Sequence, residues 1–177
     1  STGTNGAIIA LHTDTLNNLL YAGGYFTQAG GITANRIAKW DGTQWDSLNT
    51  GVNAVVICMT MYNGKLVVGG SFTMAGNIPA NRIAIWDGMG WDYIKGGVNG
   101  TVWDVEVFNG ELYVGGNFTT ADGIETSYIA KWNGAAWSSV GAGVNGLVFR
   151  FAVYNNELYV GGSFTMAGNI PSYYIAK

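Results

Sequence analysis

The chain has 177 residues with a net charge of −3, and only 11% of its residues are charged. An average soluble domain has about 25% charged residues, and a disordered chain combines high charge with low hydrophobicity, so disorder is excluded. No basic run is present, which excludes a nucleic-acid surface of the usual kind. No stretch of about 18 apolar residues occurs, so we expect no membrane insertion. The 28 glycines and 14% aromatic residues favour many short β-strands joined by tight turns.

One residue pattern recurs every 46 residues along the chain. Each copy has a Gly-Gly pair, then a Phe-Thr pair, and in three copies two tryptophans follow in a fixed register. The repeated positions are Gly23, Gly69, Gly115 and Gly161, then Phe26, Phe72, Phe118 and Phe164, then Trp40, Trp86 and Trp132, then Trp45, Trp91 and Trp137. Several residue types in one register indicate tandem copies of a single structural unit.

The third copy predicts four strands. Two apolar runs, 102–108 and 112–118, flank Asn109-Gly110, and an Asn-Gly pair between apolar runs is a strong hairpin signal. A long loop then leads to a third strand at 128–132 and a fourth at 137–140. Four short antiparallel strands in about 40–50 residues are the blade of a β-propeller. We therefore predict an all-β fold, a β-propeller of four-stranded antiparallel blades.

The blades are predicted at 1–48, 49–94, 95–140 and 141–177, with the outer strand missing from the fourth. The tryptophan register would next fall at position 178, just after Lys177. We expect the chain to be part of a larger propeller of about five to eight blades. A closed ring of four blades and a ring made from a second copy are the alternatives. A strand from another chain would complete the last sheet by β-augmentation.

The repeat resembles that of a known group of propellers. It reads Leu-Tyr-Val-Gly-Gly-x-Phe-Thr-x-Ala-Gly, then Ile-Ala-x-Trp-(Asp/Asn)-Gly, then Trp. Such repeats are common in large secreted or surface-anchored bacterial proteins, with relatives in fungal cell-surface polarity markers, and the double glycine is similar to kelch repeats of the galactose-oxidase type. The resemblance implies an extracellular, usually non-enzymatic domain. Galactose oxidase needs several tyrosine and histidine ligands for copper, whereas this chain has only His12, so we expect no cofactor.

Most of the repeated polar and aromatic residues have a structural interpretation. The six repeated tryptophans are expected to pack between blades, because large aromatic side chains bury about 150–250 Å² each. Asp41, Asp87 and Asn133 precede glycines, so we interpret them as turn residues rather than metal ligands. Asp122 and Glu125 form one acidic pair, which is too few ligands for calcium.

Two sets of residues are candidates for a site. The loops before the third strands vary between blades, and variable loops on a rigid scaffold often bind partners. The possible binding-loop residues are Asn35, Arg36, Asn81, Arg82, Ser127 and Tyr128. In the inner strands one register contains Ala10, Cys58, Asp104 and Arg150, which predicts an ion pair between Asp104 and Arg150 in the central channel.

We expect a non-catalytic extracellular scaffold or adhesion module that binds other protein domains or surface glycans. The chain has no Gly-x-Ser-x-Gly elbow, no phosphate-binding loop and no Rossmann fingerprint. A carbohydrate-binding propeller lectin is the first alternative. A glycan-active enzyme is the second, and it would require two acids about 5–9 Å apart.

Overall fold

The computed structural model describes residues 2–177. These residues form strands and turns, and they contain no helix long and apolar enough to cross a lipid bilayer. The chain divides into two compact units, which end and begin at Ile94 and Lys95. Each unit contains two blade-like antiparallel sheets, so the all-β blade architecture predicted from the repeat is confirmed.

Unit 1 holds two four-stranded sheets with the strand orders β1-β2-β5-β6 and β7-β8-β11-β12. The strands of blade one are β1 (Ile8–Asp14), β2 (Leu19–Gly24), β3 (Gln28–Ala29), β4 (Ile32–Thr33), β5 (Ile37–Trp40) and β6 (Trp45–Ser47). Those of blade two are β7 (Val56–Tyr62), β8 (Lys65–Gly70), β9 (Met74–Ala75), β10 (Ile78–Pro79), β11 (Ile83–Trp86) and β12 (Trp91–Tyr93).

Unit 2 holds one four-stranded sheet, β13-β14-β17-β18, and one three-stranded sheet, β19-β20-β23. The strands of blade three are β13 (Thr101–Phe108), β14 (Glu111–Asn117), β15 (Thr120–Ala121), β16 (Ile124–Glu125), β17 (Ile129–Trp132) and β18 (Trp137–Ser139). Those of blade four are β19 (Val148–Tyr154), β20 (Glu157–Gly162), β21 (Met166–Ala167), β22 (Ile170–Pro171) and β23 (Ile175–Ala176).

The long loop in each blade is more ordered than the sequence predicted. The stretch between the second and third sheet strands, expected to be irregular, contains a two-residue ladder in every blade, such as β9 with β10. One isolated β-bridge, such as that between Val52 and Ala75, joins this ladder to the loop that precedes the inner strand of the blade. Runs of two residues carry almost no periodic signal, which is why sequence patterning missed them.

Both positions of the Gly-Gly pair require glycine, because other parts of the chain pack closely against each of them. The inner strand carries a β-bulge opposite the pair, as between Val56 and Cys58 in blade two. A Cβ on the second glycine would collide with main chain of its own inner strand, as Gly70 would with the carbonyl oxygen of Val55. A Cβ on the first glycine would collide with the next blade, as Gly23 would with Val56. Only glycine lets neighbouring strands and blades pack this closely.

One asparagine in each blade ties the entering loop to the Phe-Thr segment. Asn99 Oδ1 accepts hydrogen bonds from the Thr119 and Thr120 amides at 2.9 and 3.0 Å, and its Nδ2 donates to Thr119 Oγ1 at 3.0 Å. The same three bonds are formed at Asn5, Asn53 and Asn145. The buried phenylalanine of each Phe-Thr pair is at most 1% exposed, so this clip holds the chain where it enters the core.

We predict that Asn99→Ala lowers the free energy of unfolding by about 1–2 kcal/mol, because the two loop amides lose their shared acceptor. Denaturant unfolding measures the loss. Asn99→Asp is the matched control, since it retains an acceptor oxygen of the same shape and should cost less. Equal unfolding midpoints for the alanine variant and the wild type would contradict a stabilising clip.

Candidate functional site

The binding-loop residues predicted in blades one and two are mostly bonded to the main chain. Arg82 Nη1 donates to the Ser71 carbonyl oxygen at 2.8 Å, and Arg36 Nη1 donates in the same way to the carbonyl oxygen of Tyr25. Asn35 Nδ2 donates to the Thr50 carbonyl oxygen at 3.0 Å. Both arginines therefore brace the start of the Phe-Thr segment. Their role in binding stays a prediction.

The third-strand entry imposes an unusual backbone conformation. Arg36, Arg82 and Tyr128 have φ angles of 68°, 69° and 70°, in the left-handed region. Their amides donate to the carbonyl oxygens of the buried phenylalanines at 2.8, 2.9 and 2.9 Å. Ser127 is also left-handed, and Tyr128 packs against the apolar cluster of unit 2. The residue that precedes the third strand is therefore structurally constrained in these blades. Of the six predicted binding-loop residues, Asn81 is the most exposed to solvent.

The repeated tryptophans pack in pairs within their own blades, and Trp86 also belongs to an apolar cluster with residues of blade one, which agrees with the predicted packing between blades. The ring centroids of Trp86 and Trp91 are 5.3 Å apart, and those of Trp132 and Trp137 are 5.5 Å apart. The indole nitrogen of Trp91 donates to the Leu48 carbonyl oxygen at 2.9 Å, which links blade two to the end of blade one. Trp86, Trp132 and Trp137 are buried, whereas Trp40, Trp45 and Trp91 are partly exposed.

The turn interpretation of Asp41, Asp87 and Asn133 is confirmed. Asp87 Oδ1 accepts from the amides of Met89 and Gly90 at 2.9 and 2.8 Å, and these bonds lower the pKa of Asp87. Asp41 and Asn133 make the same pair of bonds with the amides two and three residues on. Within residues 2–177 no group of three or more His, Cys, Asp or Glu side chains could hold a metal ion.

The ion pair predicted between Asp104 and Arg150 is not formed directly. The Asp104 carboxylate accepts a hydrogen bond from the Phe151 amide at 2.7 Å. Arg150 Nη1 donates to the carbonyl oxygens of Trp103 and Phe149 at 2.9 and 2.8 Å, and the pair is absent from the ion pairs of the described residues. Each charged group instead binds main-chain groups of the two inner strands, close to the bulges at Trp103 and Phe149. Asp104 and Arg150 do link blades three and four, because each forms a hydrogen bond with a main-chain group of the other blade.

Sequence reasoning overlooked an aromatic pair next to these residues. The rings of Trp103 and Phe149 are stacked, with centroids 4.9 Å apart and an interplanar angle of 16°. Each ring belongs to the residue between the two strand positions at which the register shifts. The sequence contained a signal for this pair, because the same position is Ile9 and Ile57 in the first two blades and is aromatic only in unit 2.

Burial perturbs two acids of this strand. Burial raises the pKa of Asp104, and the hydrogen bond from Phe151 and the charge of Arg150 offset only part of this effect. Burial also raises the pKa of Glu106, and the neighbouring charge of Asp104 adds to it. The two acids lie two residues apart on β13 and therefore on the same face. Their environment stabilises the protonated forms.

An open apolar pocket of about 590 Å³ lies in unit 2 between blades three and four. Its walls come from the ends of the inner hairpins, from the 140–144 connection and from the ladder and third strand of blade four. The residues that line it include Tyr113, Val140, Leu158, Ala167, Gly168 and Ala176.

In unit 1 the equivalent space is filled by tryptophan. The positions that match the pocket, including Tyr21, Leu48 and Leu66, form one cluster with the buried Trp86, and Trp91 packs against it. A Cβ added to Gly76 would lie 2.9 Å from the Trp91 ring, whereas one added to Gly168 would meet nothing within 4 Å. The pocket therefore has the shape of a site for two tryptophan side chains on an additional strand.

Comparisons with known proteins support the fold. A family model described as a β-propeller domain of unknown function matches residues 63–84, which include β8, β9, β10 and the first two residues of β11. A search of solved structures finds the computationally designed Ika4 protein, with 17% identity and a TM-score of 0.59 over 90% of this chain and 88% of that one. The designed Ika8 protein aligns with 16% identity and a TM-score of 0.47, over 91% of this chain and 57% of that one. No curated protein matches the chain. The likeness to Ika4 reflects a shared fold.

We predict that the Asp104 carboxyl makes unfolding pH-dependent. Because its folded-state pKa is raised, its contribution to stability is full below the ordinary aspartate pKa of about 3.9 and is lost as the pH rises through the higher folded value. Asp104→Asn keeps an acceptor for the Phe151 amide and removes this loss, so its free energy of unfolding should fall less than that of the wild type as the pH rises above about 4.

Asp104→Ala is the contrasting variant. It leaves the Phe151 amide without an acceptor and should lower stability by about 1–3 kcal/mol at neutral pH. Denaturant unfolding of the three proteins across pH 4–8 measures both effects. Parallel pH profiles for the wild type and Asp104→Asn would show that this carboxyl does not titrate abnormally.

Proposed function

We propose that this chain is a non-catalytic scaffold or adhesion module of a secreted or cell-surface protein, and that it binds other protein chains. The apolar pocket of unit 2 is the observation that carries the proposal. Its walls match those that enclose two tryptophans in unit 1, so an aromatic-bearing protein segment has the right chemistry to enter it.

The location outside the cell is part of the proposal and rests on the repeat pattern. The Gly-Gly, Phe-Thr and Trp-(Asp/Asn)-Gly positions resemble those of secreted and surface-anchored propellers, including kelch-like blades. Surface glycans are a less favoured class of ligand, because the repeated tryptophans are occupied in packing. The half-buried acids Asp104 and Glu106 on β13 accept hydrogen bonds from main-chain amides.

We predict that a labelled peptide with the sequence of residues 132–140 binds the pocket in trans. This segment carries Trp132 and Trp137 and includes the outer strand of blade three. Fluorescence anisotropy measures its dissociation constant. Replacing both tryptophans of the peptide by alanine should weaken binding at least tenfold, because the aromatic burial that drives insertion is lost.

A matched pair of protein variants locates the contact. Ala142 is exposed at the pocket rim, and Ala135 is an exposed turn residue outside it. Ala142→Arg should weaken peptide binding at least tenfold, whereas Ala135→Arg should leave it unchanged. Equal binding of both peptides, or equal affinity of both variants, would overturn the proposal.

A further inference from the structure

A second cavity, with mainly polar walls, lies in unit 1 between blades one and two. Its volume is about 340 Å³. The walls come from the entry to the third strand of blade one, from the connection between the blades and from the short ladder of blade two. We call this cavity the polar pocket, and its lining residues include Asn35, Arg36, Thr50, Asn53, Gly76 and Asn77.

Arg36 gives the polar pocket a positive wall. Among the described residues that line the cavity, Arg36 carries the only charge. Its Nη1 donates to the carbonyl oxygens of Tyr25 and Phe26, and a guanidinium has five N–H donors, so Nε and Nη2 can serve a ligand. A planar guanidinium matches a carboxylate, with which it forms two parallel hydrogen bonds. The charge therefore favours an anionic ligand.

The other polar groups suit a ligand that carries hydroxyls. Asn35 Nδ2 donates to the Thr50 carbonyl oxygen at 3.0 Å, which orients this amide and leaves its oxygen to accept. Thr50 and Asn77 are exposed, and each offers both donors and acceptors. Small-molecule pockets occupy about 300–1,000 Å³, so the polar pocket is of a size for one sugar ring.

The loop contact in unit 2 shows that the backbone does not require these polar side chains. The Val52 amide donates to the Asn35 carbonyl oxygen at 3.1 Å, and in unit 2 the Val144 amide donates to that of Ser127 at 3.2 Å. The residues that replace Asn35, Arg36 and Thr50 in unit 2 are Ser127, Tyr128 and Ala142.

The left-handed residue also forms without its arginine. Tyr128 has a φ of 70° and Arg36 a φ of 68°, and both amides donate to a buried phenylalanine carbonyl. The same contact between blades is thus built with and without the guanidinium and the side-chain amide. Because the fold does not need them at this position, a ligand is a reason for their presence in unit 1.

We propose that the polar pocket binds a sugar acid, a single sugar ring that carries a carboxylate. Arg36 pairs with the carboxylate, while Asn35, Thr50 and Asn77 bind the ring hydroxyls. The ligand is held by charge and hydrogen bonds, so the site does not depend on ring stacking by the repeated tryptophans. The site goes beyond the proposed protein binding and lies in the other unit from the apolar pocket.

An NMR titration of the ¹⁵N-labelled whole chain with glucuronate tests the proposal. We expect a dissociation constant of about 1 mM, as a ligand of this size gains about 0.3 kcal/mol per heavy atom. The shifted amides should include those of Gly51, Gly76 and Asn77. Glucose lacks the charge and acetate lacks the hydroxyls, so each should bind at least tenfold more weakly than glucuronate.

A matched pair of acidic substitutions locates the ligand. Asn77→Asp places a negative charge at the polar pocket and should weaken glucuronate binding at least tenfold. Asn169 occupies the position of Asn77 in blade four and is also exposed. Asn169→Asp should therefore leave binding unchanged.

A second pair separates binding from stability. Arg36→Gln removes the cation and should weaken glucuronate binding at least tenfold, but it also removes the brace on the Tyr25 carbonyl. Arg82→Gln removes the equivalent brace on Ser71 without altering the polar pocket. The two variants should have similar unfolding midpoints, and Arg82→Gln should bind like the wild type.

Three results would overturn the proposal. They are a wild type whose amides do not shift up to about 20 mM glucuronate, equal affinity for glucuronate and either glucose or acetate, and equal affinity of the two variants within either pair. Ala142→Arg should leave glucuronate binding unchanged, so failure here and failure of peptide binding are separate outcomes.

Discussion

The close approach of one sheet to the next is the interaction on which the rest of this structure depends. Each blade has two apolar faces, and a sheet of three or four short strands cannot hide both by itself. Within unit 1 the solution is a glycine on one blade that admits Val56 and Met59 of the next. Burial of such side chains contributes about 1.5–3 kcal/mol each, so the contact is a large term in the stability of the two blades within a unit.

Most polar groups of the repeat serve this arrangement. The clip asparagines, the arginines before the third strands and the Asx turns bind loop amides and carbonyls that the short strands leave unpaired. Asp104 and Arg150 do the same for the main chain of two inner strands. Residues that resemble a functional site in the sequence therefore act mainly as supports for loops and bulges.

The apolar pocket of unit 2 is the surface on which the proposed function rests. Its walls correspond to those that hold two tryptophans in unit 1. We favour a binding module over an enzyme because these walls are apolar and match a contact that already packs protein side chains.

The sequence by itself determined the strand order, the turns and the packing role of the paired tryptophans. These features are local or periodic, and a 46-residue repeat displays them several times over. Tertiary structure alone decided which donor the Asp104 carboxylate binds, which aromatic rings stack between bulges, and which copy of a repeated position is buried. Asp104 and Arg150 occupy the same register in neighbouring inner strands, yet each binds main-chain groups and not the other. Which group a side chain reaches depends on how two blades pack, a long-range fact that no single repeat encodes.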